Sequence, residues 1–275
     1  PATKAIPKEM LPVVDKPLIQ YAVEEAKAAG IEQFIFVTGR GKSVMEDHFD
    51  LAVELNETLR RRSKEPELEA ATAMIPPPGD IICVRQQEAK GLGHAVWCAR
   101  HLIGDEPVAV LLADDLILAD TPCLQQMMEA HQKVGGNVIA VMEVAPEHTS
   151  RYGVLSPGRE DGRLIEVKGL VEKPKPADAP SRLAVIGRYI LEPRVFAMLD
   201  RQEVGAGGEI QLTDAMARLI GGAPFHGYRF AGERFDCGVK AEFIEATIAF
   251  GLRHPTLGGA VRDIVARYGR GGRTP

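Results

Sequence analysis

The alternation of short apolar runs with helical patterns is the feature that most constrains what this chain can fold into. Apolar runs of strand length occupy residues 34–38, 81–84, 108–112 and 138–144, and helical patterns separate them. The run at 108–112 is apolar throughout, which is typical of a parallel strand buried on both faces. This order predicts an α/β fold with a Rossmann-like, doubly wound mixed sheet that is mainly parallel. It also predicts that ligands bind at the carboxyl ends of the strands.

The pattern changes after residue 150 to short strands and turns, and helices return after about residue 210. We therefore expect three regions: an α/β region at 1–150, a smaller β-rich lobe at 151–240, and C-terminal helices at 241–275. The 275 residues are enough for one large α/β domain or two small ones.

Composition and charge exclude several classes of protein. The formal net charge of −5 gives no electrostatic reason to expect a nucleic-acid partner. No apolar run comes close to the ~18 residues of a membrane span, and no signal-peptide pattern opens the chain. The four cysteines are scattered without a C-x-x-C pair, which indicates reduced thiols. These features predict a cytoplasmic protein that binds neither nucleic acid nor membrane.

Two carboxylates, Asp114 and Asp115, closely follow the apolar run at 108–112. A carboxylate at the end of a buried strand lies where such a sheet opens to its ligand. Carboxylate oxygens also suit Mg²⁺, which is commonly shared between one or two carboxylates and substrate phosphates. The same residues could merely begin a loop or cap the next turn. From the residues alone, the two interpretations have equal weight.

A second candidate site is the glycine-containing turn at 85–95, which follows a strand and opens a helix. Glycine at Gly91 permits a tight turn and close approach of backbone to a flat ligand. The amide of Gln86 can donate and accept hydrogen bonds at once, which suits the edge of a pyrimidine base. As a bare pattern, however, an ordinary βα turn explains the segment better.

Four further residues carry charges with simple structural explanations. Glu172 and Lys173 alternate along a strand, so their side chains should face opposite ways unless a bulge intervenes. Asp236 precedes a helix that begins near residue 240 and could cap it. Lys16 lies immediately before the first helix, where a cation is electrostatically unfavourable, and this favours an anion nearby.

The stretch at 4–19, K-A-I-P-K-E-M-L-P-V-V-D-K-P-L-I, resembles the opening of the sugar-1-phosphate nucleotidylyltransferases. Further segments resemble that family in the same order along the chain. They are the segments at 85–95, 112–116, 152–154, 171–174, 186–189, 208–214 and 235–238. The resemblance implies the nucleotide-diphospho-sugar transferase fold. It makes 1–150 the nucleotide-binding lobe and 151–240 the sugar-phosphate-binding lobe, and it makes 241–275 a possible oligomer contact.

The resemblance also implies roles for residues on the nucleotide side. Asp114, in preference to Asp115, would bind Mg²⁺ and contact the nucleotide, with Asp236 as the second metal ligand. Lys16 would bind a nucleotide phosphate and offset charge in the transition state. The base-reading positions of the family fall on Gln86 and Gly91.

On the sugar side, the resemblance implies that Glu172 binds sugar hydroxyls and Lys173 the sugar phosphate. The implied sugar-phosphate-binding set is Gly153, Glu172, Lys173, Gly187 and Glu209. Of all these positions, the implied catalytic residues are Lys16, Lys173 and Asp114.

The activity that the resemblance implies is Mg²⁺-dependent attack of glucose 1-phosphate on UTP, which gives UDP-glucose and pyrophosphate. A thymidylyl- or adenylyltransferase acting on the same sugar phosphate stays open, as does a catalytically inactive regulator that binds a nucleotide sugar. The resemblance further implies a homodimer or homotetramer. The family begins with a strand and a loop of the form G-x-G-T-R, and this chain opens just after it. We expect that segment to precede the recorded sequence.

Overall fold

The computed structural model describes residues 2–269, which form one six-stranded sheet and three two-stranded sheets, with helices around them. The strands are β1 Pro12–Val13, β2 Lys16–Pro17, β3 Phe34–Thr38, β4 Ile81–Arg85, β5 Val108–Leu111, β6 Asp115–Leu118, β7 Asn137–Glu143, β8 Gly153–Asp161, β9 Leu164–Glu172, β10 Leu183–Leu191, β11 Phe225–Arg229 and β12 Glu233–Asp236. The α-helices are α1 Leu18–Ala28, α2 Ser43–His48, α3 Val53–Arg61, α4 Glu65–Thr72, α5 Leu92–Cys98, α6 Cys123–Val134, α7 Arg194–Leu199, α8 Leu212–Ala217, α9 Lys240–Arg253 and α10 Gly258–Gly269.

The mixed α/β fold is confirmed, but strand directions differ from the expected mainly parallel arrangement. The order in the large sheet is β5-β10-β7-β11-β9-β8. Within it, β7 and β11 are parallel, whereas β10 runs antiparallel to β5, β7 and β8, and β9 runs antiparallel to β8 and β11. The β3–β4 pair is parallel, as a βαβ unit requires.

The difference in direction has a physical cause. Strand β10, buried along its whole length, returns antiparallel between β5 and β7. An apolar run indicates that a strand is buried but not whether it is parallel or antiparallel to its neighbours, because a buried strand is apolar in either case. Strand β5 is in fact half-buried along its length, which differs from the expected burial on both faces.

The core of the large sheet has two faces, and β7 contributes to both. Ile139 and Val141 belong to the cluster that includes side chains of α5, α7 and α8. Val138 and Ala140 belong to the cluster on the other face, with side chains of α1 and α6. This alternation follows from the two-residue period of a strand. The sheet is thus covered by helices on both faces.

A smaller hairpin-like pair positions the candidate site. Strands β6 and β12 pair antiparallel, with Asp115 opposite Asp236. Their apolar residues Leu116 and Phe235 pack in one cluster with Ala246 of α9. This cluster fixes the pair to the C-terminal helices and brings the ends of two distant chain segments together.

The predicted three-part division stays a prediction. Strands β8 and β9 join the same sheet as β5 and β7, so the two predicted lobes share one hydrogen-bonded sheet. Residues 270–275 of the third predicted region lie outside the described residues. Among residues 2–269, no helix combines the length and the apolar character needed to cross a membrane.

Candidate active site

The structure brings the two predicted metal carboxylates together. Asp114 lies in the turn between β5 and β6, and its backbone carbonyl accepts a hydrogen bond from the Cys237 amide at 2.8 Å. Asp236 ends β12. A Cβ atom at Gly238 would lie 3.0 Å from Asp236 Oδ1 and 3.8 Å from Asp114 Oδ2, so both carboxylates border the same small space.

The alternative role of Asp236, as a helix cap, is realised only in part. Its Oδ1 accepts a hydrogen bond from the Gly238 amide at 3.0 Å, which is the expected turn. Helix α9 begins two residues later, and its N-cap is Val239 with no side-chain capping bond. The second oxygen, Oδ2, is therefore directed to other groups and lies 3.3 Å from Nη2 of Arg151.

Lys8 is the lysine that the structure places at Asp114. It lies on a 3-10 turn, and its Nζ donates to Asp114 Oδ2 at 2.5 Å. Burial lowers the pKa of Lys8, but the carboxylates of Asp114, Glu9 and Asp236 outweigh it, and the net pKa is raised. Lys8 is therefore a cation that pairs with Asp114, although its side chain is half exposed.

Lys16, the lysine expected at the nucleotide phosphates, has different contacts. It lies in β2, and its Nζ donates to both carboxylate oxygens of Glu24 at 2.9 Å. The same ammonium lies 5.7 Å from the centre of the Tyr21 ring. The structure thus does not bring Lys16 to Asp114, and its phosphate role stays a prediction. Lys8 belongs to the same opening stretch, and no signal in the sequence distinguishes it from the other lysines there.

The turn predicted to read the base is held by its own contacts. The amide Nε2 of Gln86 donates to the carbonyl of Gly91 at 3.1 Å and lies 3.0 Å from Nδ1 of His94. Gly91 has φ of 103°, and a Cβ there would lie 2.8 Å from both the Glu209 Cβ and the Ile210 carbonyl oxygen. Glycine is required at this position for backbone conformation and for space.

His94 is a buried contact of this turn. The side chain is 8% exposed, and its ring stacks on Trp97 with centroids 5.5 Å apart. Burial lowers the pKa of His94, and the charge of Lys90 lowers it further. A neutral His94 can offer Nδ1 as an acceptor to the Gln86 amide.

On the sugar side, Gly153, Glu172 and Lys173 lie together. A Cβ at Gly153 would lie 3.1 Å from Glu172 Oε2 and 2.9 Å from the Thr213 hydroxyl. The ammonium of Lys173 lies 3.5 Å from Glu172 Oε1, although alternation along a strand predicts opposite faces. Lys173 has φ of 48°, and this left-handed conformation turns its side chain towards Glu172. Strain of this kind is concentrated at functional sites.

The remaining two predicted sugar-side residues lie beside nucleotide-side elements. The Gly187 amide donates to Asp115 Oδ2 at 2.7 Å, and a Cβ there would lie 2.6 Å from the same oxygen. Gly187 falls where the register between β10 and β7 shifts, so it supports the turn that carries Asp114. Glu209 packs against Gly91, as described above. These contacts place both residues at the junction of the two halves.

The fold, together with these carboxylates, lysines and glycine turns, indicates the class of nucleotidyl transferases. The family model described as nucleotidyl transferase matches residues 1–250, and the chain belongs to this family.

Within that family, the chain is similar to bacterial UTP–glucose-1-phosphate uridylyltransferases. It is 54% identical over 240 residues to that of Komagataeibacter xylinus, covering 87% of this chain and 84% of the relative. It is 50% identical over 257 residues to that of Bacillus subtilis (strain 168), covering 94% and 88%.

Two solved structures extend the likeness to three dimensions. A UDP-glucose pyrophosphorylase complexed with UDP-glucose superposes with a TM-score of 0.84 at 44% identity, covering 92% of this chain and 94% of that one. A UTP-bound UGPase from Acinetobacter baumannii has a TM-score of 0.89 at 38% identity, covering 97% and 93%. The similarity therefore spans nearly the whole chain and both halves of the site.

Proposed function

We propose that this chain catalyses the formation of UDP-glucose and pyrophosphate from UTP and glucose 1-phosphate. The observation that carries this conclusion is identity of about half of all residues, over most of the chain, with proteins named for that reaction. Similar solved proteins contain UTP in one case and UDP-glucose in the other, which are a substrate and the product of this reaction.

The reaction is an in-line displacement. A phosphate oxygen of glucose 1-phosphate attacks the α-phosphorus of UTP, the bond from that phosphorus to the β-phosphate oxygen breaks, and pyrophosphate leaves. The attacking phosphate is already ionised, so the protein need supply neither a nucleophile nor a base. Catalysis then rests on positioning two anions and offsetting their charge.

The carboxylate pair fits a Mg²⁺ site that substrate completes. Asp114 and Asp236 border one space beside Gly238, and three cationic side chains already approach them. Within the described residues, no three His, Cys, Asp or Glu side chains gather closely enough to hold a metal alone. Two carboxylates with phosphate and water oxygens are the usual Mg²⁺ environment. When bound, Mg²⁺ would draw off phosphate charge and orient the triphosphate.

We assign the charged side chains by their positions. Lys8, held at Asp114, would move its ammonium onto the incoming triphosphate, where a mobile point charge is useful. Lys173 would bind the phosphate of glucose 1-phosphate, and Glu172 the sugar hydroxyls, since these two side chains share one face. Gln86 and the Gly91 turn would contact the uracil edge.

The test is pyrophosphate release by the purified, full-length protein with glucose 1-phosphate, Mg²⁺, and UTP, dTTP or ATP in turn. We expect preference for UTP, loss of release with EDTA, and a fall of roughly 10²–10³-fold in Asp114→Asn. Asp120→Asn is the matched control, because Asp120 is exposed and pairs with Arg253 at the surface. Preference for dTTP or ATP would assign a different nucleotide. Tight UDP-glucose binding without any release would assign an inactive regulator.

We also propose self-association through the C-terminal helices. Helices α9 and α10 leave large apolar side chains exposed, among them Ile244, Ile264 and Tyr268. Exposed apolar side chains on adjoining helices are a common feature of subunit contacts. Light scattering coupled to size-exclusion chromatography measures the mass of the assembly directly. A monomer at all concentrations would contradict the proposal. Location in the cytoplasm stays a prediction.

A further inference from the structure

A buried arginine, Arg234, lies between the two halves of the site. It belongs to β12, and its side chain is 5% exposed. Its Nη2 atom donates to Asp115 Oδ1 and lies 3.6 Å from Asp236 Oδ2. Its Nη1 atom donates to the phenol oxygen of Tyr152 at 3.0 Å. Nη1 also lies 3.9 Å from Oε2 of Glu242. One guanidinium thus reaches three carboxylates and a tyrosine, which come from four different chain segments.

Arg234 remains charged in this position. A guanidinium is not deprotonated in proteins, so the buried side chain is a cation. Its two terminal nitrogens are paired, whereas its buried Nε has no hydrogen-bond partner among the described residues. Removing a carboxylate partner would leave a buried charge uncompensated, so we expect the two paired nitrogens to hold their partners in place.

On the nucleotide side, Arg234 contacts Asp236 directly and restrains Asp114 through its neighbour Asp115. Asp115 is the neighbour of Asp114, and its second oxygen accepts from the Gly187 amide at 2.7 Å. Held from both sides, Asp115 cannot rotate without moving the turn that presents Asp114. Asp236 lies two residues beyond Arg234, on the same face of β12, where the guanidinium restrains Oδ2.

On the sugar side, Arg234 reaches the segment that carries Gly153. Tyr152 precedes Gly153, and its backbone carbonyl accepts from the Lys173 amide at 2.9 Å. The bond from Arg234 to the Tyr152 phenol therefore joins the metal carboxylates to the strand ends that hold the proposed sugar-phosphate ligands.

We propose that Arg234 is a positioning residue that keeps the Asp114–Asp236 pair in fixed relation to the Gly153–Lys173 side. The proposal rests on the proposed function. Lysine cannot replace it, because one ammonium cannot span Asp115 and Tyr152 with the planar geometry of a guanidinium. Removing an outer partner of a metal ligand typically costs about 10–100-fold in metal affinity or activity.

Two variants separate the contacts that Arg234 makes with the carboxylates from the contact that it makes with Tyr152. In Arg234→Lys, we expect Mn²⁺ affinity in the presence of UTP, measured by titration with spin-resonance detection, to weaken about 10–100-fold. In Tyr152→Phe, Mn²⁺ affinity should stay at the wild-type value, while KM for glucose 1-phosphate rises. Arg182→Lys is the matched control, since Arg182 is exposed and pairs with Glu143 at the surface.

A structural role alone predicts a different result. If folded Arg234→Lys, with a lowered thermal midpoint, bound Mn²⁺ and UTP as tightly as wild type, the positioning role would be overturned. If Arg234→Lys does not fold, Tyr152→Phe decides, and an unchanged KM for glucose 1-phosphate contradicts the link. Failure of the proposed function is seen separately, as wild-type protein that makes no UDP-glucose.

Discussion

The two halves of the site are held in place by different means. On the nucleotide side, Asp236 ends a paired strand beside the buried Arg234, and Asp114 lies in a turn next to Asp115, which pairs with the same arginine. On the sugar side, the position of Lys173 depends on its own left-handed backbone, and its side chain is about half exposed. The carboxylates proposed to share a metal thus lie on or beside paired strands. The ammonium proposed to meet a phosphate lies at a residue with a left-handed backbone, where the chain can adjust.

The largest expected effect distinguishes Lys8 from Lys16 on the nucleotide side. Lys8→Ala should lower kcat for pyrophosphate release by roughly 10²–10³-fold, because it removes the ammonium beside Asp114. Lys16→Ala should stay within a few-fold of wild type, since Lys16 pairs with Glu24. Steady-state kinetics with UTP and glucose 1-phosphate measures both. A larger loss in Lys16→Ala would restore the role that its sequence position implied.

This comparison also shows what sequence could predict about the nucleotide side. Asp114 and Asp236 were expected to converge, because a buried strand ends before one and the family pattern supplies the other. The structure brings them to one space. The choice between two lysines in one loop was not available from sequence, because a loop has no periodicity to fix which side chain points inward.

Fold prediction had a similar limit. Helix α1 ends before Gly30, as its apolar stripe and glycine indicate. The direction of β10 and the contacts of Arg234 depend on pairing between residues far apart in sequence. Local sequence patterns do not indicate such pairing, so they predicted neither the antiparallel direction of β10 nor the contacts of Arg234.

The next largest expected effect on activity is at Lys173, on the sugar side. Two substitutions there distinguish the role of its charge from the cost of its left-handed backbone. Both Lys173→Ala and Lys173→Gly should lose roughly 10²-fold in kcat, because each removes the ammonium. Their stabilities should differ, since alanine keeps the cost of a left-handed backbone, about 1–2 kcal/mol, and glycine does not. Thermal or urea unfolding measures that difference. Equal stability of the two variants would show that the backbone there is not strained.

The smallest expected effect on activity is at Gly91, where the two halves of the site are in contact. Gly91→Ala must accept both a positive φ and a Cβ placed 2.8 Å from Glu209 and Ile210 atoms. Gly79→Ala is the matched control, because Gly79 has a φ of 97° with open space around it. Overpacking typically costs about 1–3 kcal/mol, so Gly91→Ala should be less stable than Gly79→Ala by that amount.

The same substitution tests whether the halves communicate. Because Gly91 lies against Glu209, displacement of the turn should raise KM for UTP several-fold and move Glu209 with it. The hydrogen bond from Gln86 to the Gly91 carbonyl would also be disturbed, which would couple the amide proposed to contact the base to this packing. Initial rates at varied UTP and varied glucose 1-phosphate separate the two substrates. A rise in KM for UTP alone would place Gly91 wholly on the nucleotide side, and a rise for both would make it part of the junction.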